Sequence, residues 1–141
     1  MRIVSKTDIG LSRRSNQDSY ATGELPGGVA WAVVCDGMGG ANGGNVASAA
    51  AVKVISEHIS SSYRAGMSSN SVRNMLESAI TAANVSVYEM SQQSDDLAGM
   101  GTTVVAAVIT DGVAHIAHAG DSRAYLFSTE KIEQITRDHS Y

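Results

Sequence analysis

The stretch Val33-Val34-Cys35-Asp36-Gly37-Met38-Gly39-Gly40 decides how the rest of the chain is interpreted. Apolar residues run from Val29 to Cys35, as is typical of a buried strand, and the glycines that follow indicate a sharp exit with little side-chain bulk. Asp36 therefore stands where a sheet opens to solvent and where backbone can approach a ligand closely. The alternative is that Asp36 only caps the next helix or starts a turn. Other stretches of the chain favour the first interpretation.

Size and composition are those of a single globular domain. The chain has 141 residues, of which 43% are hydrophobic and 17% are charged, and this is enough to bury one core. The net charge of −4 and the lack of a basic block argue against nucleic acid or an anionic membrane surface as a partner. The apolar runs are too short to span a bilayer. One cysteine permits no internal disulfide, so we expect a reducing, cytoplasmic setting.

The first part of the chain is predicted to be a meander of strands. Arg2 to Ile9 alternates weakly and is predicted as a strand, and a polar, basic loop follows it. Asp18 to Thr22 is predicted as a second, short strand, and the Pro26-Gly27 turn leads back into the strand that ends at Asp36. If these two strands pair, Asp18 and Asp36 lie near each other at the end away from the turn.

Two helices are predicted in the middle of the chain. The first spans roughly Asn45 to Tyr63. Gly66 and a serine-rich cluster, Ser68 to Ser71, end it and offer a cap for the second helix. The apolar positions of the second helix recur at helical spacing and predict a core-facing stripe. They are Val72, Met75, Leu76, Ala79, Ala83, Val87 and Met90.

The last part returns to strands. Gly101 to Thr110 is apolar at nearly every position, which predicts a strand inside a sheet covered on both faces. Asp111-Gly112 is a two-residue hairpin signal, and Val113 to Ala119 is the returning strand. Further strands are predicted over Arg123 to Phe127 and Ile132 to Ile135. Strands, two helices and strands again favour a layered α+β fold with the helices packed on one sheet.

Three carboxylates, those of Asp18, Asp36 and Asp121, each stand at a strand end or interruption. Acids held close together repel unless a cation compensates them, and oxygen ligands select hard ions such as Mg²⁺ or Mn²⁺. The guanidinium of Arg13 matches two phosphate oxygens. The alternatives are that Arg13 and Arg14 belong to a solvated basic loop and that Asp121 only shapes a turn or bulge.

Two other phosphate chemistries fail on spacing. A cysteine-dependent phosphatase needs an arginine six residues after its nucleophile, but Ala41 stands six residues after Cys35. A P-loop needs Gly-Lys-Ser/Thr, and Gly44 is followed by Asn45 and Val46. Cys35, on its apolar run, is interpreted as a small buried hydrophobe.

Four stretches, in order along the chain, resemble the motifs of the metal-dependent protein phosphatases, the type 2C serine/threonine phosphatases, and most closely the bacterial members. They are Arg13 to Asp18, Asp36 to Gly40, Gly101 to Thr103 and Gly120 to Leu126. The resemblance implies the layered α-β-β-α sandwich of that family. It also implies hydrolysis of phosphoserine or phosphothreonine on proteins by a metal-bound hydroxide. The substrates would be targets of a bacterial serine/threonine kinase.

The resemblance also implies residue roles. Arg13, five residues before Asp18, would bind the substrate phosphate, and Arg14 would be a surface residue. Asp36 would bridge two Mn²⁺ or Mg²⁺ ions, with Asp18 and the Gly37 carbonyl beside it. Asp121 resembles the acid that holds a third, weaker ion.

The resemblance covers the whole chain, but the family's catalytic domain continues beyond it and supplies two further metal-binding aspartates. We therefore expect residues 1–141 to be the N-terminal part of a single phosphatase catalytic domain whose C-terminal part is absent. Such a chain would have little activity alone and would self-associate through uncovered apolar surface. The alternative function is a catalytically silent, phosphatase-like interaction or regulatory module.

Overall fold

The computed structural model of the chain describes residues 1–39 and 43–140, so Gly40, Ala41, Asn42 and Tyr141 lie outside the described residues. The strands are β1 (Asp18–Leu25), β2 (Val29–Met38), β3 (Gly101–Thr102), β4 (Val104–Thr110), β5 (Val113–Ala119), β6 (Tyr125–Phe127) and β7 (Ile132–Gln134). The helices are α1 (Gly43–Ser62) and α2 (Ser69–Ser91), and a short 3₁₀ turn, Asp95–Leu97, follows α2.

The main sheet is antiparallel, with the strand order β1-β2-β4-β5 and with β3 paired to the end of β2. β1 extends past the predicted limit at Thr22 and pairs with β2 along its whole length, from Leu25 opposite Val29 to Asp18 opposite Asp36. The predicted approach of the two acids is therefore confirmed. The predicted hairpin between β4 and β5 is also confirmed, because Asp111 and Gly112 both have positive φ, at 52° and 75°.

Both helices pack on one face of this sheet, which confirms the predicted α+β class. Strand alternation turns Val33, Cys35, Ala106 and Val108 toward the helices, and all four are fully buried. The predicted stripe on α2 is confirmed, since its members from Val72 to Val87 are buried and Met90 is half-buried. Within residues 1–39 and 43–140, neither helix is long and apolar enough to cross a membrane.

The predicted helix limits hold to within two residues. The Ser68 hydroxyl accepts a hydrogen bond from the Ser71 backbone N–H, as the predicted cap requires. α1 begins at Gly43 instead of Asn45, and its first turn packs closely on its neighbours, since a Cβ on Gly44 would lie 2.6 Å from the Gln17 side chain. Helix ends of this kind commonly shift by one or two residues.

The opposite face of the main sheet, which we call the outer face, is only partly covered. Val34 is 48% exposed there, and Val105, Ile109 and Ile116 are only half-buried. The prediction that the Gly101 to Thr110 strand is covered on both faces is therefore wrong for this chain. The apolar run misled because both faces of β4 carry apolar residues, whereas only the face turned toward the helices is covered.

The predicted strand from Arg2 to Ile9 is wrong. Residues 1–9 adopt no regular structure, and residues 3–8 lie beside Tyr20 of β1 and Val34 of β2 on the outer face. Ile3 is half-buried, but Val4 is 77% exposed. A strand needs a partner along its edge, and within the described residues no strand pairs with this segment.

β6 and β7 form a separate two-stranded sheet, closed by the predicted turn over residues 128–131. Both strands are shorter than predicted, since the predicted ranges were Arg123 to Phe127 and Ile132 to Ile135. The Ala124 N–H donates to the Thr136 hydroxyl at 3.1 Å, and only the Ile135 N–H reaches the Ala124 carbonyl, at 2.8 Å. β6 therefore begins two residues after the predicted limit at Arg123, and β7 ends one residue before the predicted limit at Ile135.

Candidate functional site

Asp18 and Asp36 form a cross-strand pair at the open end of the β1–β2 hairpin. Residues opposite each other in antiparallel strands have side chains on the same face, with Cβ atoms about 4.5–5.5 Å apart. Partial burial raises the pKa of Asp36 above its usual value of 3.8, and the hydrogen-bonding contact with Asp18 and the Asp18 charge raise it further. Two carboxylates so placed are a costly arrangement unless a proton or a cation is shared between them.

Arg13 lies in the same polar hollow as the acid pair. The hollow has a volume of about 160 Å³ and is lined by Asp8, Ile9, Arg13, Asn16, Gln17, Asp18 and Asp36. The positive charge of Arg13 lowers the pKa of Asp36 and so opposes the effect of Asp18. Arg14 is exposed and is not among the lining residues. The structure thus brings three of the predicted site residues together.

Asn16 orders the loop that carries Arg13. Its side-chain amide donates to the Thr7 hydroxyl at 2.7 Å, and its side-chain oxygen accepts from the Asp18 backbone N–H at 3.0 Å. These bonds tie the N-terminal segment to the start of β1. Sequence reasoning missed this role, although an Asn two residues before a strand start is a common signal of such a turn.

Gly37 follows Asp36 at a point where the chain is tightly enclosed. Its N–H donates to the Gln17 carbonyl at 3.0 Å, and a Cβ on Gly37 would overlap the Gly44 carbonyl at the start of α1. A Cβ on Gly44 would in turn meet the end of the Gln17 side chain at 2.6 Å. Glycine is therefore required at position 37 for packing, and the metal-facing role of its carbonyl stays a prediction.

Thr103 joins Asp36 to the turn that carries Asp121. The Thr103 N–H donates to the Asp36 carbonyl at 2.9 Å, and the Asp36 N–H donates to the Thr103 hydroxyl at 3.0 Å. The same hydroxyl lies 2.6 Å from the Ser122 hydroxyl. Sequence reasoning missed this function. The available signal was a threonine next to a buried apolar run, because a buried hydroxyl needs a partner.

Asp121 stands in the irregular link between β5 and β6 and is exposed. Gly120 before it has a φ of 103°, and the chain bends over Gly120 and Asp121. The charge of Asp121 reaches Asp36, whose pKa it raises, but Asp121 does not line the polar hollow. Asp121 is therefore near the Asp18–Asp36 pair but outside the hollow that the pair lines.

The Asp138-His139 segment anchors the same turn from the other side. The His139 N–H donates to the Gly120 carbonyl at 2.8 Å, and the His139 ring stacks on His118 with centroids 4.6 Å apart. Asp138 forms an ion pair with Arg123 at 2.7 Å. These contacts give the segment a structural function.

The donors in the hollow fit a hard divalent cation. Within residues 1–39 and 43–140, no three His, Cys, Asp or Glu side chains are grouped closely enough to hold a metal ion by themselves. Mg²⁺, however, is commonly bound through one or two carboxylates and keeps several waters. The Asp18–Asp36 pair supplies those carboxylates, and the raised pKa of Asp36, caused by burial and by Asp18 and only partly opposed by Arg13, agrees with a site for a cation.

A larger cavity lies on the other face of the sheet. It has a volume of about 280 Å³, is lined mainly by apolar side chains of α1, α2 and β3 to β5, and contains no acidic or basic residue. Its lining suits packing more than phosphate chemistry, so the smaller polar hollow is the candidate site.

Comparison with known proteins agrees with this assignment. The sequence model described as Protein phosphatase 2C matches residues 12–141. The serine/threonine phosphatase stp of Listeria monocytogenes serotype 4b (strain F2365) is 36% identical over 140 residues, which is 99% of this chain and 55% of that protein. The chain thus spans about half the length of this relative.

Two solved structures share the fold. The serine/threonine phosphatase of S. agalactiae superposes with a TM-score of 0.85 at 35% identity, over 96% of this chain and 55% of that one. The catalytic domain of the serine/threonine protein phosphatase PstP, solved in complex with two manganese ions, superposes with a TM-score of 0.79 at 32% identity, over 94% of this chain and 54% of that one. Sequence and fold agree along nearly the whole length, and the chain belongs to the protein phosphatase 2C family.

Proposed function

We propose that residues 1–141 are the N-terminal part of a single phosphatase catalytic domain that hydrolyses phosphoserine and phosphothreonine on proteins. The observation that carries the proposal is the shared hollow, in which Arg13 stands beside the Asp18–Asp36 pair. A guanidinium next to paired carboxylates is suited to hold a phosphate against metal ions. The related proteins named above are serine/threonine phosphatases, which supports the same reaction class.

The proposed roles are those that the family resemblance implies, and the shared hollow of Arg13, Asp18 and Asp36 supports them. Arg13 binds the phosphate, and Asp36 with Asp18 holds two Mn²⁺ or Mg²⁺ ions, with the Gly37 backbone beside them. Asp121, on the neighbouring turn, contributes to a third ion. Bound ions of this kind supply an activated water and neutralise charge on the phosphoryl group. The protein's own part is to orient the phosphate through Arg13 and to keep the two acids together.

The proposed substrates are bacterial phosphoproteins marked by a serine/threonine kinase, and the proposed setting is the cytoplasm. The net charge of −4 is opposed locally by Arg13 and Arg14, which are the basic residues of the site loop. A phosphorylated side chain is dianionic near neutral pH. It would therefore be attracted to this loop more than to the rest of the chain.

A catalytically silent, phosphatase-like module is the second candidate. The observation that favours it is that the described residues contain no group of three metal-binding side chains. A site with only the Asp18–Asp36 pair would bind a divalent cation weakly, and it could bind a phosphorylated partner through Arg13 without turnover.

One experiment separates the two candidates. Phosphate release from a phosphothreonine peptide is followed with the 141-residue chain, in Mn²⁺ and after chelation by EDTA, and with Asp36→Asn. Release that needs Mn²⁺ and is lost in Asp36→Asn supports the phosphatase. Binding of the peptide without any release, weakened by Arg13→Ala and unchanged by Arg14→Ala, supports the silent module.

A further inference from the structure

We infer that the Thr103–Ser122 hydroxyl pair positions Asp121 relative to Asp36, and that it thereby sets the affinity of the ion held at Asp121. The inference rests on the proposed function, because it assigns a role toward a metal ion to residues outside the polar hollow. Neither hydroxyl is proposed to touch the ion or the substrate. Thr103 and Ser122 are thus positioning residues.

Thr103 makes two hydrogen bonds with the backbone of Asp36. One hydrogen bond runs from the Thr103 N–H to the Asp36 carbonyl at 2.9 Å, and one from the Asp36 N–H to the Thr103 hydroxyl at 3.0 Å. Thr103 is only 3% exposed, so water cannot replace these bonds readily. The position of the Thr103 hydroxyl therefore follows the backbone of Asp36.

The second hydrogen bond of the Thr103 hydroxyl is made with the turn that carries Asp121. With the Asp36 N–H as one partner, the Thr103 hydroxyl has its second partner in the Ser122 hydroxyl, 2.6 Å away. Ser122 is half-buried and follows Asp121 directly. Hydrogen bonds thus run from the Asp36 backbone through the Thr103 side chain to Ser122, which the chain joins directly to Asp121.

Close packing limits how far the turn can move. A Cβ on Gly120 would lie 2.8 Å from the Thr103 methyl group, so the turn approaches Thr103 as closely as a glycine allows. On the opposite side the Gly120 carbonyl accepts from the His139 N–H at 2.8 Å. Asp121 therefore lies on a turn that is held from two sides, by His139 and by Thr103. Of these two, Thr103 is the residue that is hydrogen-bonded to Asp36.

The test measures Mn²⁺ binding to the 141-residue chain from the electron paramagnetic resonance signal of free Mn²⁺. Ser122→Ala removes the contact to the turn and leaves both Thr103–Asp36 bonds in place. Thr103→Val removes the hydroxyl at similar shape, and Thr103→Ser restores it. We expect Ser122→Ala and Thr103→Val to weaken the weakest Mn²⁺ site roughly five-fold or more, as the loss of one buried hydrogen bond implies. Thr103→Ser should bind within two-fold of the unaltered chain, on the order of experimental error.

The Asp121→Asn background distinguishes positioning from general loosening. If the hydroxyl pair acts through Asp121, Ser122→Ala should change Mn²⁺ affinity no further once Asp121 is Asn. An equal loss in both backgrounds would overturn the inference. Should Thr103→Val fail to fold, Ser122→Ala with and without Asp121→Asn decides the question alone.

Two other outcomes separate the inference from the proposed function. Unchanged Mn²⁺ affinity in Ser122→Ala, together with lost affinity in Asp36→Asn, would overturn the inference and leave the proposed function standing. No Mn²⁺ binding by the unaltered chain, or equal binding by Asp36→Asn, would overturn both.

Discussion

Asp18 and Asp36 face each other across the last rung of the β1–β2 ladder, with Arg13 in the same hollow. The hairpin gives the pair its spacing, because register in a two-stranded ladder is set by the turn and by the buried face. A slip of β1 by one residue would turn Asp18 to the helix face and separate it from Asp36. The fold thus maintains an arrangement that is electrostatically unfavourable without a cation, which is typical of a functional site.

Asp36→Asn should stabilise the metal-free chain at neutral pH. The pKa of Asp36 is raised in the folded state above its usual 3.8, mainly by partial burial and by Asp18. The folded state then binds the extra proton, so stability falls as pH rises from 3.8 through the raised pKa. Urea unfolding in EDTA at several pH values should show this fall in the unaltered chain and a flatter profile in Asp36→Asn. The same pH dependence of stability in both proteins would show that Asp36 does not have a raised pKa in the folded chain.

Arg13→Ala should weaken binding of a phosphopeptide much more than binding of Mn²⁺. A charge-assisted bidentate contact contributes about 1.5–3 kcal/mol, which corresponds to roughly 10- to 150-fold in affinity. Arg14→Ala is the matched control, because Arg14 is adjacent, exposed and outside the hollow. Isothermal titration with a phosphothreonine peptide measures both variants. A larger effect from Arg14→Ala would show that the register assigned to this loop is wrong.

Gly37→Ala should destabilise the chain by about 1–3 kcal/mol, as overpacking of a core does. Its new Cβ would overlap the Gly44 carbonyl, and a backbone atom at the start of α1 cannot move alone. Gly101→Ala is the control from the neighbouring rung of the same strand pair, where the nearest atom to a Cβ is the Met38 side chain at 3.4 Å. Thermal unfolding should show a large decrease in melting temperature for the first variant and little change for the second. Equal melting temperatures would contradict the tight packing described at Gly37.

What could be predicted from the sequence was local or nearly so. The Pro26-Gly27 turn and the apolar run to Cys35 were enough to predict the approach of Asp18 and Asp36, and the helical spacing from Val72 predicted the buried stripe of α2. Contacts between residues far apart in the sequence, in contrast, left no pattern in the sequence from which they could be predicted. The Thr103–Ser122 bond joins residues 19 apart and depends on how β4 and β5 pair.

The failed predictions have the same origin. Arg2 to Ile9 has a weak alternation suited to a strand, but strand formation depends on a partner edge that the alternation itself does not reveal. The cover of the Gly101 to Thr110 strand likewise depends on what lies against the outer face, and in this chain Val105 and Ile109 remain half-buried.

The outer face should make the chain self-associate. Val34 is 48% exposed and pairs with Val105 of the neighbouring strand, so the two form a continuous apolar surface. Full burial of one such side chain is worth roughly 1.5–3 kcal/mol, and about half of that remains available at Val34. Size exclusion with light scattering should therefore give a mass above 14.7 kDa that rises with concentration.

Val34→Lys should restore the monomer, because a charge on this face cannot be buried without a partner. Val85→Lys is the control, since Val85 is 49% exposed on α2, away from the outer face, and should leave the association unchanged. A 14.7 kDa monomer at every concentration, with cooperative unfolding, would show that the N-terminal segment covers the outer face well enough by itself.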